Sequence, residues 1–227
     1  MINLKSEILF YIKNLPITNT LFTSYFVIFF VILILCFRKF KIYPSKFQNF
    51  LEIIYEVIYK FWFDITHIKN QKIFSFCLTF LFYIGLANLI ILFPPFDSIF
   101  LIKNEEHIHI FRSVFSDLNM TLALGIISVL VTNFLGLFNL GLNFIKKFLS
   151  PIGILELISE FAKIISFGFR LFGNIFAGKV LLIIISSLVI LIIPSFFISL
   201  EIFVGVVQAF IFFILTSVFI KVAIEQH

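Results

Sequence analysis

The chain has 227 residues, 61% of them apolar and only 13% charged, with a mean hydropathy of +1.16. A water-soluble domain of this length presents far more polar surface, so the composition belongs to the membrane class and excludes an ordinary soluble fold. The net charge of +5 is small and reads as a topology bias rather than as a nucleic-acid-binding surface.

Residues 1–19 mix polar and apolar side chains, and Pro16 breaks any helix there. About 20 mostly apolar residues cross a bilayer core of about 30 Å, and the first such run is 20–37. Arg38, Lys39 and Lys41 follow it in place of small cleavage-site residues, so it reads as a retained span and not as a signal peptide. Residues 43–64 differ in kind. Pro44 suits a helix start, Phe47, Leu51, Ile54, Ile58 and Phe61 recur at helical spacing, and Glu52, Glu56 and Lys60 take another face. That pattern predicts an amphipathic helix lying at the interface or against a partner.

A second span is predicted over 73–93, stopped by Pro94 and Pro95. The loop 94–116 carries Asp97, Lys103, Glu105, Glu106, His107, His109 and Arg112. A third span follows over 117–138, then a long apolar segment over 151–193 that Pro194 ends, and a final segment over 195–220. Cys36 and Cys77 lie within apolar runs and read as packing residues rather than a disulfide or metal pair. Lysine and arginine crowd the connection between the first two spans, and Lys146, Lys147 and Lys221 share that side. The positive-inside rule therefore puts the N-terminus outside and the C-terminus inside. The expected architecture is all-α and polytopic: one membrane domain over 1–227, with five membrane segments, a surface helix at 43–64 and a helical hairpin at 151–220.

The long segment carries charges that a lipid-facing helix does not tolerate. A charge near the bilayer centre costs on the order of 3 kcal/mol, yet Glu156, Glu160, Lys163, Arg170 and Lys179 all lie there. Glu156, Lys163 and Arg170 fall seven residues apart, two turns of helix, so they form one stripe that Asn174 extends. The stripe must face protein or water. Glu201 and Gln208, also seven apart, repeat the device on the final segment. Glu160 and Lys163 could pair as a packing solution. Arg170 cannot neutralise itself, because arginine stays protonated in proteins, and the nearest group on its own face is the like-charged Lys163. Gly168, Gly173, Ala177 and Gly178 surround it and would admit the close approach of another helix or serve ordinary internal packing.

The run Phe169-Arg170-Leu171-Phe172-Gly173-Asn174-Ile175-Phe176-Ala177-Gly178 is similar to the signature of ATP synthase subunit a. Glu156-Leu157-Ile158-Ser159 resembles that family's approach to the arginine, Ser116-Asp117-Leu118-Asn119 its third-span opening, and Gln208-Ala209-Phe210 its last-helix motif. The surface helix, from Pro44 through Gln48, Asn49 and Glu52, fits as well, so the resemblance covers about residue 44 to the C-terminus.

The resemblance implies two long tilted helices against a ring of c subunits, with two proton half-channels that the arginine separates. It implies a proton-translocating, non-catalytic subunit of the FO sector, acting with the c-ring, the peripheral-stalk b subunits and the remaining ATP synthase subunits in a lipid bilayer. The transported ion would be the proton rather than sodium, with no cofactor, no metal and no nucleic acid. By the family's pattern Arg170, Glu201, Gln208 and Asn174 serve proton translocation. Glu156, Ser159, Lys163, Lys179, Asp117 and Asn119 are channel or structural polar residues. Lys179 departs from the pattern, which has Glu or His there, and lysine gives up a proton far less readily than either. A bacterial plasma membrane is the expected location, with the mitochondrial inner membrane as the alternative. A stand-alone secondary transporter or ion channel is the alternative function, although the chain lacks the internal repeat usual there. A membrane enzyme would need a nucleophile or metal cluster at depth, and His67, His107, His109 and His227 all lie near span ends or in loops.

Overall fold

A computed structural model describes residues 7–13, 15–36, 46–92, 99–103, 106–141, 144, 153–188 and 192–225. Its helices are α1 (Asn19–Cys36), α2 (Lys46–Thr66), α3 (Gln71–Leu92), α4 (Leu118–Leu140), α5 (Gly153–Leu188) and α6 (Ile192–Glu225). These match the five expected spans and the surface helix. Four of them, α3 to α6, are long and apolar enough to cross a bilayer. The 18 described residues of α1 extend about 27 Å. The basic segment 38–41, Pro44, Pro94, Pro95, Lys146, Lys147, Pro151 and the side chain of Cys36 lie outside the described residues.

The helix ends follow local chemistry. Asn70 caps α3, its Oδ1 accepting the Lys72 N–H at 3.0 Å. Asp117 does the same for α4, accepting the Asn119 N–H at 3.0 Å. At the end of α2, His67 takes a left-handed conformation (φ 56°) and its N–H bonds Phe63 at 2.8 Å. Lys221 Nζ, from the far end of the chain, donates to the Ile65 carbonyl at 3.0 Å. This satisfies an otherwise orphaned helix-end acceptor with a cation.

Two short ribbons add to the helical frame. Strands β1 (Ile8–Ile12) and β2 (Leu15–Thr18) pair antiparallel, as do β3 (Phe100–Lys103) and β4 (Glu106–His109). Pro16 opposes Tyr11 within β2, where a two-stranded ribbon tolerates the missing N–H on its open edge. Asn19 N–H bonds the Glu7 carbonyl at 3.0 Å and ties the first ribbon to the start of α1. His107 and His109 lie on β4 opposite Ile102 and Phe100.

The hairpin boundary differs from expectation. α5 is described to Leu188 and α6 from Ile192, and Pro194 lies within the first described turn of α6 rather than after a helix. The physical reason is that the first N–H groups of a helix have no intrahelical partner, so proline costs nothing there.

α6 is the central helix, packing against α2, α3, α4 and α5. Phe212 contacts Phe80 of α3 at 5.0 Å and Phe167 of α5 at 4.4 Å, ring centre to ring centre. Towards its C-terminal end, Phe213, Phe74 and Trp62 form a second buried cluster that also encloses Cys77. The Trp62 indole N–H finds Ser217 Oγ at 3.1 Å, so this buried ring leaves no polar atom unpaired. The surface helix is thereby anchored by its last turns, while its outer residues Phe47, Phe50 and Val57 remain exposed.

Candidate functional site

The site lies where α5 and α6 run antiparallel. Gly178 faces the Glu201 side chain, and Phe167 faces Phe212, eleven residues along each helix. The same register places Gln208 at the level of Leu171, beside Arg170. Around Arg170 the helices open into a groove of about 310 Å³, lined by Ser159, Lys163, Ser166 and Arg170 from α5 and by Leu215 and Phe219 from α6.

Arg170 itself is exposed on the groove. Its Nη2 donates to Ser166 Oγ at 3.5 Å, a long bond, and among the described residues no carboxylate pairs with the guanidinium. Lys163, two turns away, is in a different state. Its Nζ donates to Glu160 Oε1 at 2.6 Å and lies 4.9 Å from the centre of the Phe219 ring. Glu160 in turn accepts from Asn133 Nδ2 of α4 at 3.1 Å. The expected stripe therefore holds one settled cation and one exposed one. Glu156 and Asn174 on the same stripe are half-buried.

Gln208 is buried, and its side-chain nitrogen has no hydrogen-bond partner among the described residues. A buried amide N–H left alone costs on the order of 1–3 kcal/mol. Asn88 of α3 lies against the same stretch of α6: its Nδ2 donates to the Gly205 carbonyl at 3.2 Å, and its Oδ1 is also without a partner among the described residues. Glu201 stands with Oε1 only 3.2 Å from where a Cβ on Gly178 would be, next to the half-buried Lys179. The absent side chain at 178 is what lets the carboxylate approach the backbone of α5.

The two other expected positions sit elsewhere. Asp117, besides capping α4, accepts the Thr20 hydroxyl of α1 at 3.3 Å, and the Asn119 side chain is exposed. They belong to a polar cluster where α1, α3 and α4 meet, with Ser24 bonded to Tyr83 at 2.7 Å and Arg112 Nε to Ser116 at 3.1 Å. Burial holds the half-buried Arg112 guanidinium below its ordinary pKa, an effect that Glu7 and Asp117 oppose by attraction.

The small residues near Arg170 divide by face. Gly168 packs on Leu122 of α4, and Gly178 on Glu201, so both serve internal contacts. A Cβ on Gly173 would meet nothing within 4 Å, and Ala177 is exposed. Arg170, Gly173 and Ala177 thus share one open face of α5. Sequence reasoning missed Ser166, Phe219, Asn133 and Asn88. The two asparagines carried a signal, being amides within otherwise apolar spans.

Comparison with known proteins adds an independent line. The family model described as ATP synthase A chain matches residues 19–221. The ATP synthase subunit a of Desulfosudis oleivorans (strain DSM 6200 / JCM 39069 / Hxd3) is 32% identical over 201 residues, covering 83% of this chain and 80% of that protein. The ATP synthase subunit a of Staphylococcus aureus (strain JH9) is 32% identical over 215 residues, covering 87% and 86% respectively.

Proposed function

Because the chain belongs to the ATP synthase A chain family, as an integral multi-pass subunit of the proton-translocating FO sector, we propose that Arg170 is the fixed charge that separates two proton half-channels. Its counter-ion is a carboxylate on a neighbouring ring of c subunits. The observation that carries this reading is the exposed guanidinium without a carboxylate partner among the described residues, beside the open Gly173 and Ala177 face.

The chemistry is electrostatic. Opposite charges 4 Å apart at an effective dielectric of about 20 attract by about 4 kcal/mol. That favours the deprotonated ring acid as it passes Arg170, and a proton arriving on the acid releases it. The same fixed charge repels a bare proton and blocks a short circuit. The drive is about 2.3 kcal/mol per charge per 100 mV, so one proton cannot make an ATP and the ring must add several steps. The chain itself binds no nucleotide and performs no bond chemistry in this scheme; catalysis belongs to the soluble head.

By the positive-inside orientation, Glu201 lies on the outer side of Arg170 and the groove with Lys163 on the inner side. Glu201, Asn88 and Gln208 on α6 and α3 then mark the outer path, Gln208 completing it beside Arg170 with a side-chain nitrogen that has no partner among the described residues. The groove between α5 and α6 marks the inner path. The peripheral-stalk b subunits and the rest of the synthase are the further partners, and the bacterial relatives agree with a bacterial plasma membrane.

The experiment is ATP-driven acidification of inverted vesicles that carry the whole complex. Glu201→Gln keeps the shape but removes the charge and the exchangeable acid, and general acid–base groups contribute on the order of a hundredfold. A slowing of that order, with normal amounts of complex, is expected. An unchanged rate would remove Glu201 from the path.

A further inference from the structure

Glu160 lies beside Arg170's groove but plays no part in the scheme above. Both of its oxygens are occupied, Oε1 by Lys163 Nζ at 2.6 Å and Oε2 by Asn133 Nδ2 at 3.1 Å. The pair is sheltered, with side chains 23% exposed for Lys163 and 12% for Glu160. Phe219 of α6 closes over the ammonium at 4.9 Å. Three helices thus hold one lysine in place, in the same groove as Arg170 and about 10 Å from it along α5.

A bare ammonium at that point would be a second cation for a mobile carboxylate to find. At an effective dielectric of about 20, a unit charge about 10 Å away biases a carboxylate's protonation by about tenfold. Resting on the reading of Arg170, we propose that Glu160 is a positioning residue for charge: it cancels Lys163, so that Arg170 alone attracts the ring carboxylate in the inner groove. Without Glu160, a ring acid arriving in the groove would be held deprotonated by Lys163. It would then take a proton from the inner side only at lower pH. Among the described residues, the charged groups near Glu160 are Lys163, Glu156 one turn earlier on α5 and, farther along, Arg170. α4 contributes the uncharged Asn133, and α6 contributes Leu215 and Phe219.

The test uses inverted vesicles with the intact complex, in which the inner face meets the medium. Glu160→Gln is expected to slow ATP-driven acidification about tenfold near neutral pH and to move its pH optimum down by about one unit. Adding Lys163→Gln is expected to restore both. A single variant that pumps like the parent, or a double variant no better than the single one, would overturn the proposal, since a merely structural pair gives no such rescue. If Glu160→Gln fails to assemble, Lys163→Gln alone decides. It leaves a bare carboxylate, so the optimum must move up, and an unmoved optimum refutes the idea. Pumping by an Arg170→Ala complex would instead refute the reading of Arg170, whatever Glu160 does.

Discussion

Replacing Arg170 with alanine is expected to leave a complex that assembles and hydrolyses ATP but produces no ATP-driven acidification. Assembly survives because, among the described residues, the exposed guanidinium makes one long bond, to Ser166 at 3.5 Å. The loss falls on coupling. In the free chain water screens the exposed guanidinium and reduces its pull on any partner. Against a ring the water is displaced, and an attraction of about 4 kcal/mol at 4 Å becomes available. In the proposed scheme, removing it takes away the charge that keeps the passing acid deprotonated and excludes bare protons. Acidification should fall to background while passive proton leak rises. Normal pumping by this variant would end the account.

The second large effect separates folding from docking. Gly125→Ala would put a Cβ 2.9 Å from the Ile164 carbonyl oxygen and 3.2 Å from Phe167 Cβ, so α4 must move off α5. Overpacking of that kind costs typically about 1–3 kcal/mol. A lowered melting temperature of the purified subunit and less assembled complex are expected. Gly173→Ala meets nothing within 4 Å, so the subunit alone should melt as the parent does. Its added methyl lies on the open face, where small residues admit a neighbouring helix, and coupling should suffer instead. Equal losses of melting temperature in the two variants would show that Gly173 packs inside the subunit.

The spans were legible because apolar length is a strong signal, and the α5 stripe because seven residues nearly close two turns. Pro194 misled because proline marks either the end of one helix or the first turn of the next, and sequence alone does not distinguish them. The ribbons escaped because strands of four or five residues, one containing Pro16, leave little periodicity. Within the site, Arg170 stood out as a charge that cannot neutralise. The state of Lys163 did not, because Asn133 and Phe219 come from α4 and α6 and only the packed fold brings them to Glu160. The glycines divided into packed and open ones for the same reason: spacing names a face, and tertiary contact decides what covers it.

The position of the Arg170 guanidinium in the assembled complex, seen by electron cryo-microscopy, tests the central claim most directly. The account predicts a carboxylate from a helix of the neighbouring ring within about 4 Å of it, or one bridging water away. A guanidinium turned inward onto a carboxylate of its own chain, with the ring elsewhere, would contradict it.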